Sequence, residues 1–172
     1  MGMKTLYLIG GTMGVGKTAV CRELNRLLPG SVFLDGDWCW NMDPFVVNPE
    51  TKVMVMENIC ALLNNFLKCS VLENVVFCWV MHEQSIMDDI LSRLEAGNWR
   101  VVAVSLICSE ETLRNRLQKD IDAGIRQADI VKRSAARLPL YEKLNTVKID
   151  TSELSVSQTA ERIARLTKRN DP

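Results

Sequence analysis

Residues 11–18 read Gly-Thr-Met-Gly-Val-Gly-Lys-Thr and follow the apolar run Thr5-Leu6-Tyr7-Leu8-Ile9 after a further glycine, Gly10. A chain that leaves a strand through the spacing G-x-x-x-x-G-K-[ST] and enters a helix has few conformations open to it. Its glycines let the backbone curl until successive N–H groups point inward, and the helix beyond adds its positive dipole end at the same spot. The product is a cradle for a polyphosphate, here running over Gly11, Thr12, Met13, Gly14, Val15, Gly16, Lys17, Thr18 and Ala19. Lys17 is placed as a mobile point charge for the β and γ phosphates of a nucleotide, and the Thr18 hydroxyl for Mg²⁺ beside them.

The rest of the chain continues the strand-then-helix pattern. Runs rich in Val, Leu and Phe at 5–9, 32–35, 74–80, 101–107 and 146–150 alternate with segments of helical period, the pattern of βαβ units and a parallel sheet. Val20, Leu24, Leu27 and Leu28 make one helical face before Pro29-Gly30, and Ile59, Leu63, Phe66 and Leu67 make another. A third helix is predicted from about Glu83 to Ala96, with Ile86, Ile90, Leu91 and Leu94 inward and Gly97-Asn98 as a left-handed cap. A fourth begins near Ser109, with Glu110 and Glu111 favourable at its dipole. The last opens on the capping box Ser155-Val156-Ser157-Gln158 and buries Ala160, Ile163 and Leu166.

At 172 residues the chain suits one domain over 1–172, and 47% hydrophobic with 24% charged residues is globular composition. No apolar stretch reaches the length of a membrane span. Lys plus Arg equals Asp plus Glu at 21 each, so no global positive field gathers nucleic acid or an anionic membrane. Cys21, Cys39, Cys60, Cys69, Cys78 and Cys108 form no C-x-x-C pair, and no signal-peptide pattern precedes the loop. Reduced thiols in a cytoplasm are expected, as a monomer or homodimer. The single His82 leaves no Cys/His zinc constellation.

A phosphate-binding loop alone names no reaction. Reading guanine would need N-K-x-D, and Asn145-Thr146-Val147-Lys148-Ile149-Asp150 has the wrong spacing. A motor-type ATPase would carry paired acids at the end of its third strand, where Val75–Val80 runs into Met81-His82 instead. The acids follow the second strand, as Asp35-Gly36-Asp37. Two carboxylates at a strand's carboxyl end, where α/β sheets bind ligands, can divide two tasks. One holds Mg²⁺ or its water, and the other accepts the proton of an attacking hydroxyl. The same residues also make a plain D-G turn.

With these motifs the chain resembles the P-loop small-molecule and nucleotide kinases, a group that includes adenylate, shikimate, gluconate and adenylylsulfate kinases and chloramphenicol phosphotransferase. The resemblance rests on Gly11–Thr18, on Leu34-Asp35-Gly36-Asp37, on an Arg-bearing helix followed by a short lid, and on Val147-Lys148-Ile149-Asp150-Thr151-Ser152. It implies a three-layer α/β/α fold with a five-stranded parallel sheet of order 2-3-1-4-5. ATP and Mg²⁺ are the implied cofactors, and a small-molecule hydroxyl or a nucleotide the acceptor. By the same resemblance Asp35 helps place Mg²⁺, Asp37 is the base, and Arg116 matches the arginine that stacks on adenine. Where some relatives carry a second lid arginine, this chain has Asp120.

The lid is expected at about 120–127, with Gly124 as hinge and Arg126 as its arginine. A second mobile part, holding the acceptor side, is expected at about 36–52; residues 41–52 contain two prolines and show no regular period. Arg126 and Arg133 are the candidate catalytic arginines, since guanidinium groups spread charge over a transferring phosphoryl. Arginines on surface helices equally serve solubility and ion pairs. Trp38, Trp40, Phe45 and Trp79 gather near the ends of the second and third strands, either to stack on an acceptor or to pack. His82 can meet acceptor hydroxyls or simply open a helix. Phosphorylation of nucleic-acid 5′ ends, and nucleotide binding without turnover, are the two other readings the residues leave open.

Overall fold

The alternation Leu6, Tyr7, Leu8, Ile9 points successive side chains to opposite sides of a strand, and all four are fully buried. Such a strand needs cover on both faces, which a parallel sheet with crossover helices supplies. In the computed structural model, which describes residues 3–168, five strands lie parallel. They are β1 (Lys4–Gly10), β2 (Ser31–Asp35), β3 (Asn74–Cys78), β4 (Trp99–Ile107) and β5 (Val147–Asp150), in the order β2-β3-β1-β4-β5. The helices are α1 (Lys17–Leu27), α2 (Pro49–Lys68), α3 (Gln84–Ser92), α4 (Glu110–Asp122), α5 (Ile130–Glu142) and α6 (Val156–Lys168).

One face packs Leu6, Leu8, Val75 and Phe77 against Val55, Ile59 and Leu63 of α2 and Met87 and Ile90 of α3. The other packs Tyr7, Ile9, Val76 and Val104 against Val20 and Leu24 of α1 and Ala160 and Ile163 of α6. A third cluster, Leu113 and Leu117 of α4 with Ile130 of α5, lies against Met13 in the glycine-rich loop. The architecture and strand order are those expected. The connections leave β1 and β3 toward opposite edges of the sheet, so the crevice at their carboxyl ends is the topological switch point. Asp35 is level there with Cys78, and Cys78 with Ile9.

Local expectations that fail do so for identifiable reasons. The segment expected to hold the acceptor, about 36–52, is not irregular through residue 52. Asn48 caps a helix that starts at Pro49, through a box in which Thr51 N–H donates to Asn48 Oδ1 at 2.8 Å and Asn48 N–H donates to Thr51 Oγ1 at 3.0 Å. Proline at the first helical position opens that helix rather than breaking it. Gly36–Trp40, unassigned from the sequence, forms a short 3₁₀ turn capped by the Asp35 side chain. The third helix ends at Ser92, capped by Arg93 in a right-handed conformation, so Gly97 is no left-handed cap. β3 stops at Cys78 rather than residue 80, and β4 begins at Trp99, two residues early. Leu27, placed on the inner face of α1, is 45% exposed. All six cysteines are free thiols, and no described helix is long and apolar enough to cross a membrane.

Candidate active site

The glycine-rich loop connects β1 to α1 and turns on glycines that no other residue replaces without strain. Gly16, the N-cap of α1, has φ 104°; nothing stands within 4 Å of where its Cβ would lie, so the backbone alone demands glycine. Gly14 has φ 83°, and a Cβ there would meet Leu117 Cδ2 at 2.5 Å. No side chain caps α1 and its first turn holds no acid, which leaves its N–H groups and positive dipole end to a ligand. Lys17 curls over the loop and donates to the Thr12 carbonyl at 3.0 Å. Burial lowers its pKa, opposed by Cys78, Asp37 and Asp35.

Three elements distant in sequence lock this loop. Ser134 of α5, fully buried, donates to the Met13 carbonyl, and Thr12 Oγ1 donates to the Ser134 carbonyl at 2.9 Å. Arg116 of α4 donates to the Val15 carbonyl at 3.1 Å, to Thr151 Oγ1 at 3.0 Å and to the Thr151 carbonyl at 2.8 Å. Its guanidinium edges are thereby fixed between the loop and the turn after β5, leaving the flat faces for a planar group. Thr12 is itself fully buried, so its side chain supports the loop from beneath.

Asp35 is buried and uses both carboxylate oxygens. Oδ2 accepts from Thr18 Oγ1 at 2.7 Å, and Oδ1 accepts from the Asp37 N–H at 3.1 Å. These hard oxygen donors suit Mg²⁺. Among the described residues no group of three or more His, Cys, Asp or Glu forms a metal cage. Asp37 stands at the cleft with its pKa raised, by loss of solvation first and by the Asp35 charge second; Lys17, Trp79 and Arg126 oppose the rise. Gly36 between the two acids admits Trp79, whose indole would lie 2.7 Å from an added Cβ.

Lys17, Thr18, Ala19, Asp37, Arg116 and Arg126 line one cavity of about 300 Å³, together with Met13, Gly14, Gly16 and Asp120. Arg126 Nε donates to Asp120 Oδ2 at 3.0 Å, so the acid that stands where some relatives carry a second arginine holds Arg126. Asp120–Asp122 form the last turn of α4, and the loop proper starts at Ala123, with Gly124 at φ 71°. Arg133 is not among the cavity's residues; it pairs with Asp129 at 3.1 Å on the exposed face of α5.

The aromatic residues divide. Trp38 is 51% exposed and meets Phe33 edge-on at 5.2 Å. Trp79 lies 6.4 Å from Trp40, both partly buried against the sheet. His82 Nε2 is 3.5 Å from Glu83 Oε1, while its Nδ1 is buried with no partner among the described residues. Burial lowers the His82 pKa, Arg137 lowers it further, and Glu83 opposes. Neither Ser134 nor Tyr141, which donates to the Val80 carbonyl, is marked by any local pattern, because each contact joins residues more than sixty positions apart.

The family model described as AAA domain matches residues 8–135. No curated protein matches the chain at a significant level. Among solved structures, a gluconokinase from Sinorhizobium meliloti 1021 is 18% identical with a TM-score of 0.68, covering 98% of this chain and 97% of its own. Shikimate kinase from Acinetobacter baumannii, solved with shikimate, is 24% identical with a TM-score of 0.65, covering 98% and 95%. A chain of the Pnkp1/Rnl/Hen1 RNA repair complex is 16% identical with a TM-score of 0.69, covering 86% of this chain and 48% of its own. By the family match the chain belongs to the AAA domain family, and its sheet order and structural neighbours give it the fold of the P-loop kinases.

Proposed function

We propose that this protein is an ATP-dependent kinase that moves the γ-phosphoryl group of Mg-ATP to the hydroxyl of a small molecule or nucleotide. The observation that carries the reading is the convergence of Lys17, Thr18 and Asp37 on one cavity at the start of α1, with Asp35 behind them. Lys17 leaves the Thr12 carbonyl to neutralise charge building on the β and γ phosphate oxygens. Thr18 and Asp35 would hold Mg²⁺, which when bound would screen the phosphate charge. Arg116 fixes the base side of the nucleotide. Asp37 accepts the proton of the acceptor hydroxyl as its oxygen bonds to the γ-phosphorus and the bridging β–γ bond breaks, releasing ADP. Its raised pKa makes it a stronger base than an ordinary aspartate. Arg126 exchanges Asp120 for the transferring group as the loop after α4 closes and excludes water.

ATP consumption measured across nucleotides, sugars and hydroxyl-bearing antibiotics tests this reading, with Lys17→Ala as control. Consumption that no acceptor stimulates and that survives Lys17→Ala would sink it. A second reading, phosphorylation of nucleic-acid 5′ ends, is favoured by the similarity to the RNA repair complex chain. A net charge of zero counts against it. Tight oligonucleotide binding that weakens steeply with salt would bring it forward.

A further inference from the structure

Three cations line the cavity at the start of α1, and they are held in two different ways. Lys17 donates to the Thr12 carbonyl, and Arg116 to the carbonyls of Val15 and Thr151 and to the Thr151 hydroxyl. Those partners are neutral. Arg126 alone of the three is held by a carboxylate, that of Asp120, which lines the same cavity.

The backbone at the end of α4 sets this pair. Gly124 N–H donates to the Ile121 carbonyl and Ile125 N–H to the Asp120 carbonyl, both at 2.9 Å, with Gly124 at φ 71°. These two bonds close a helix C-terminus through a left-handed residue and fold the chain back over the last turn. Arg126, the next residue, is thereby delivered to the Asp120 side chain, one turn beyond Arg116 on the helix that clamps the phosphate-binding loop.

The contact is built to open. Only Nε of the guanidinium donates, at 3.0 Å, and its Nη1 and Nη2 have no partner among the described residues. Both side chains are about a third exposed, so water screens the pair. A single donation also holds less firmly than the two-pronged contact an arginine makes with a phosphate. The loop cradles the α and β phosphates of a nucleotide. A γ-phosphoryl group stands beyond it and brings more charge and more acceptor oxygens than one carboxylate.

We propose that Asp120 is a positioning residue that keeps Arg126 in reserve, and that the γ-phosphoryl group of a bound triphosphate is what releases it. With ADP in the cavity the pair stays closed. With ATP, Arg126 turns its Nη edge to the γ-phosphoryl group and gives up Asp120, so the turn after α4 distinguishes triphosphate from diphosphate. The inference rests on the kinase reading for the identity of the nucleotide, and its test therefore needs no turnover.

The probes are the non-hydrolysable ATP analogue AMPPNP and ADP, each with Mg²⁺, titrated calorimetrically into the unaltered protein, Asp120→Asn, Arg126→Gln and the double variant. Removing a screened, singly bonded partner should tighten AMPPNP about two- to fivefold and leave ADP unchanged, with the dispersion of the amide spectrum kept. Most of that gain should vanish in the Arg126→Gln background, which lacks the group that Asp120 acts through. In the unaltered protein the Arg126 Nε–H NMR signal, identified by its loss in Arg126→Gln, should shift with AMPPNP and stay in place with ADP. An equal gain for the two nucleotides, or an equal gain in the Arg126→Gln background, would show Asp120 acting by its own charge. No gain with AMPPNP would reduce the pair to a closure of the turn. Any of these results overturns the proposal, as does an Arg126 signal that moves equally with both nucleotides. Acceptor-stimulated ATP consumption by the unaltered protein reports on the kinase reading by itself.

Discussion

The phosphate-loop side of the cleft and the side proposed for the acceptor are built on opposite principles. The loop at Gly11–Thr18 is held by contacts from distant elements: Ser134 of α5 on Thr12 and Met13, Arg116 of α4 on Val15, and Leu117 beneath Gly14. The acceptor-side stretch from the 3₁₀ turn into α2 is held mainly by its own neighbours, through the Asn48–Thr51 box and a Trp40 Nε1 donation to the Val46 carbonyl at 3.2 Å. It also leaves Trp38, Phe45, Val47 and Val53 at least half exposed. A polyphosphate has one shape, so a receptor for it gains from being rigid in advance. The acceptor side, few of whose contacts reach beyond it, is free to close on what it receives, and its apolar surface is what such closure would bury.

The comparison breaks first at Lys17. Lys17→Ala should lower phosphoryl transfer by about 10²- to 10³-fold with the fold intact, since a preorganised charge on the transferred group contributes about 3–4 kcal/mol. Unchanged turnover in that variant would remove the nucleotide side from the chemistry.

Asp37 stands on the boundary. Asp37→Asn should cost about 10²- to 10⁴-fold in rate while ATP still binds, whereas Asp35→Asn should chiefly raise the Mg²⁺ requirement. Only the ionised carboxylate accepts a proton, so activity falls as pH drops through the Asp37 pKa. That pKa is raised, and the acid limb of kcat/KM should therefore lie above the ordinary aspartate range. A flat profile across mildly acidic pH would contradict the base assignment.

Stability should separate the two sides next. Gly14→Ala forces a Cβ against Leu117 at a left-handed φ and should destabilise the protein by about 1–3 kcal/mol, a drop of several degrees in Tm. Phe45→Ala, at a side chain 67% exposed, should change stability by no more than about 0.5 kcal/mol. Its effect belongs in the KM for the acceptor. Equal losses in Tm for the two variants would show the acceptor side to be as interlocked as the loop.

The smallest effect is one of motion. Amide exchange at residues 41–47 and 123–129 should be fast in the free protein and slowed when ATP analogue and acceptor bind together, while the loop at 11–16 changes less. Full protection of 41–47 without ligand would leave nothing there to close.

The sequence by itself determined the sheet, the loop and the pair of acids. Strand periodicity, glycine spacing and the capping box at Ser155 act within a few residues, and local sterics and local hydrogen bonds are written in adjacent letters. Composition alone could not say which arginine faces the cleft. Arg116 and Arg126 do and Arg133 pairs outward with Asp129, although all three lie on two consecutive helices or the turn between them. Tertiary structure decided that, because a guanidinium's role depends on which carboxylate or carbonyl packs within reach. For Arg116 that partner lies 35 and 101 positions away, for Ser134 it lies 121 away, and no pattern along the chain encodes such distances.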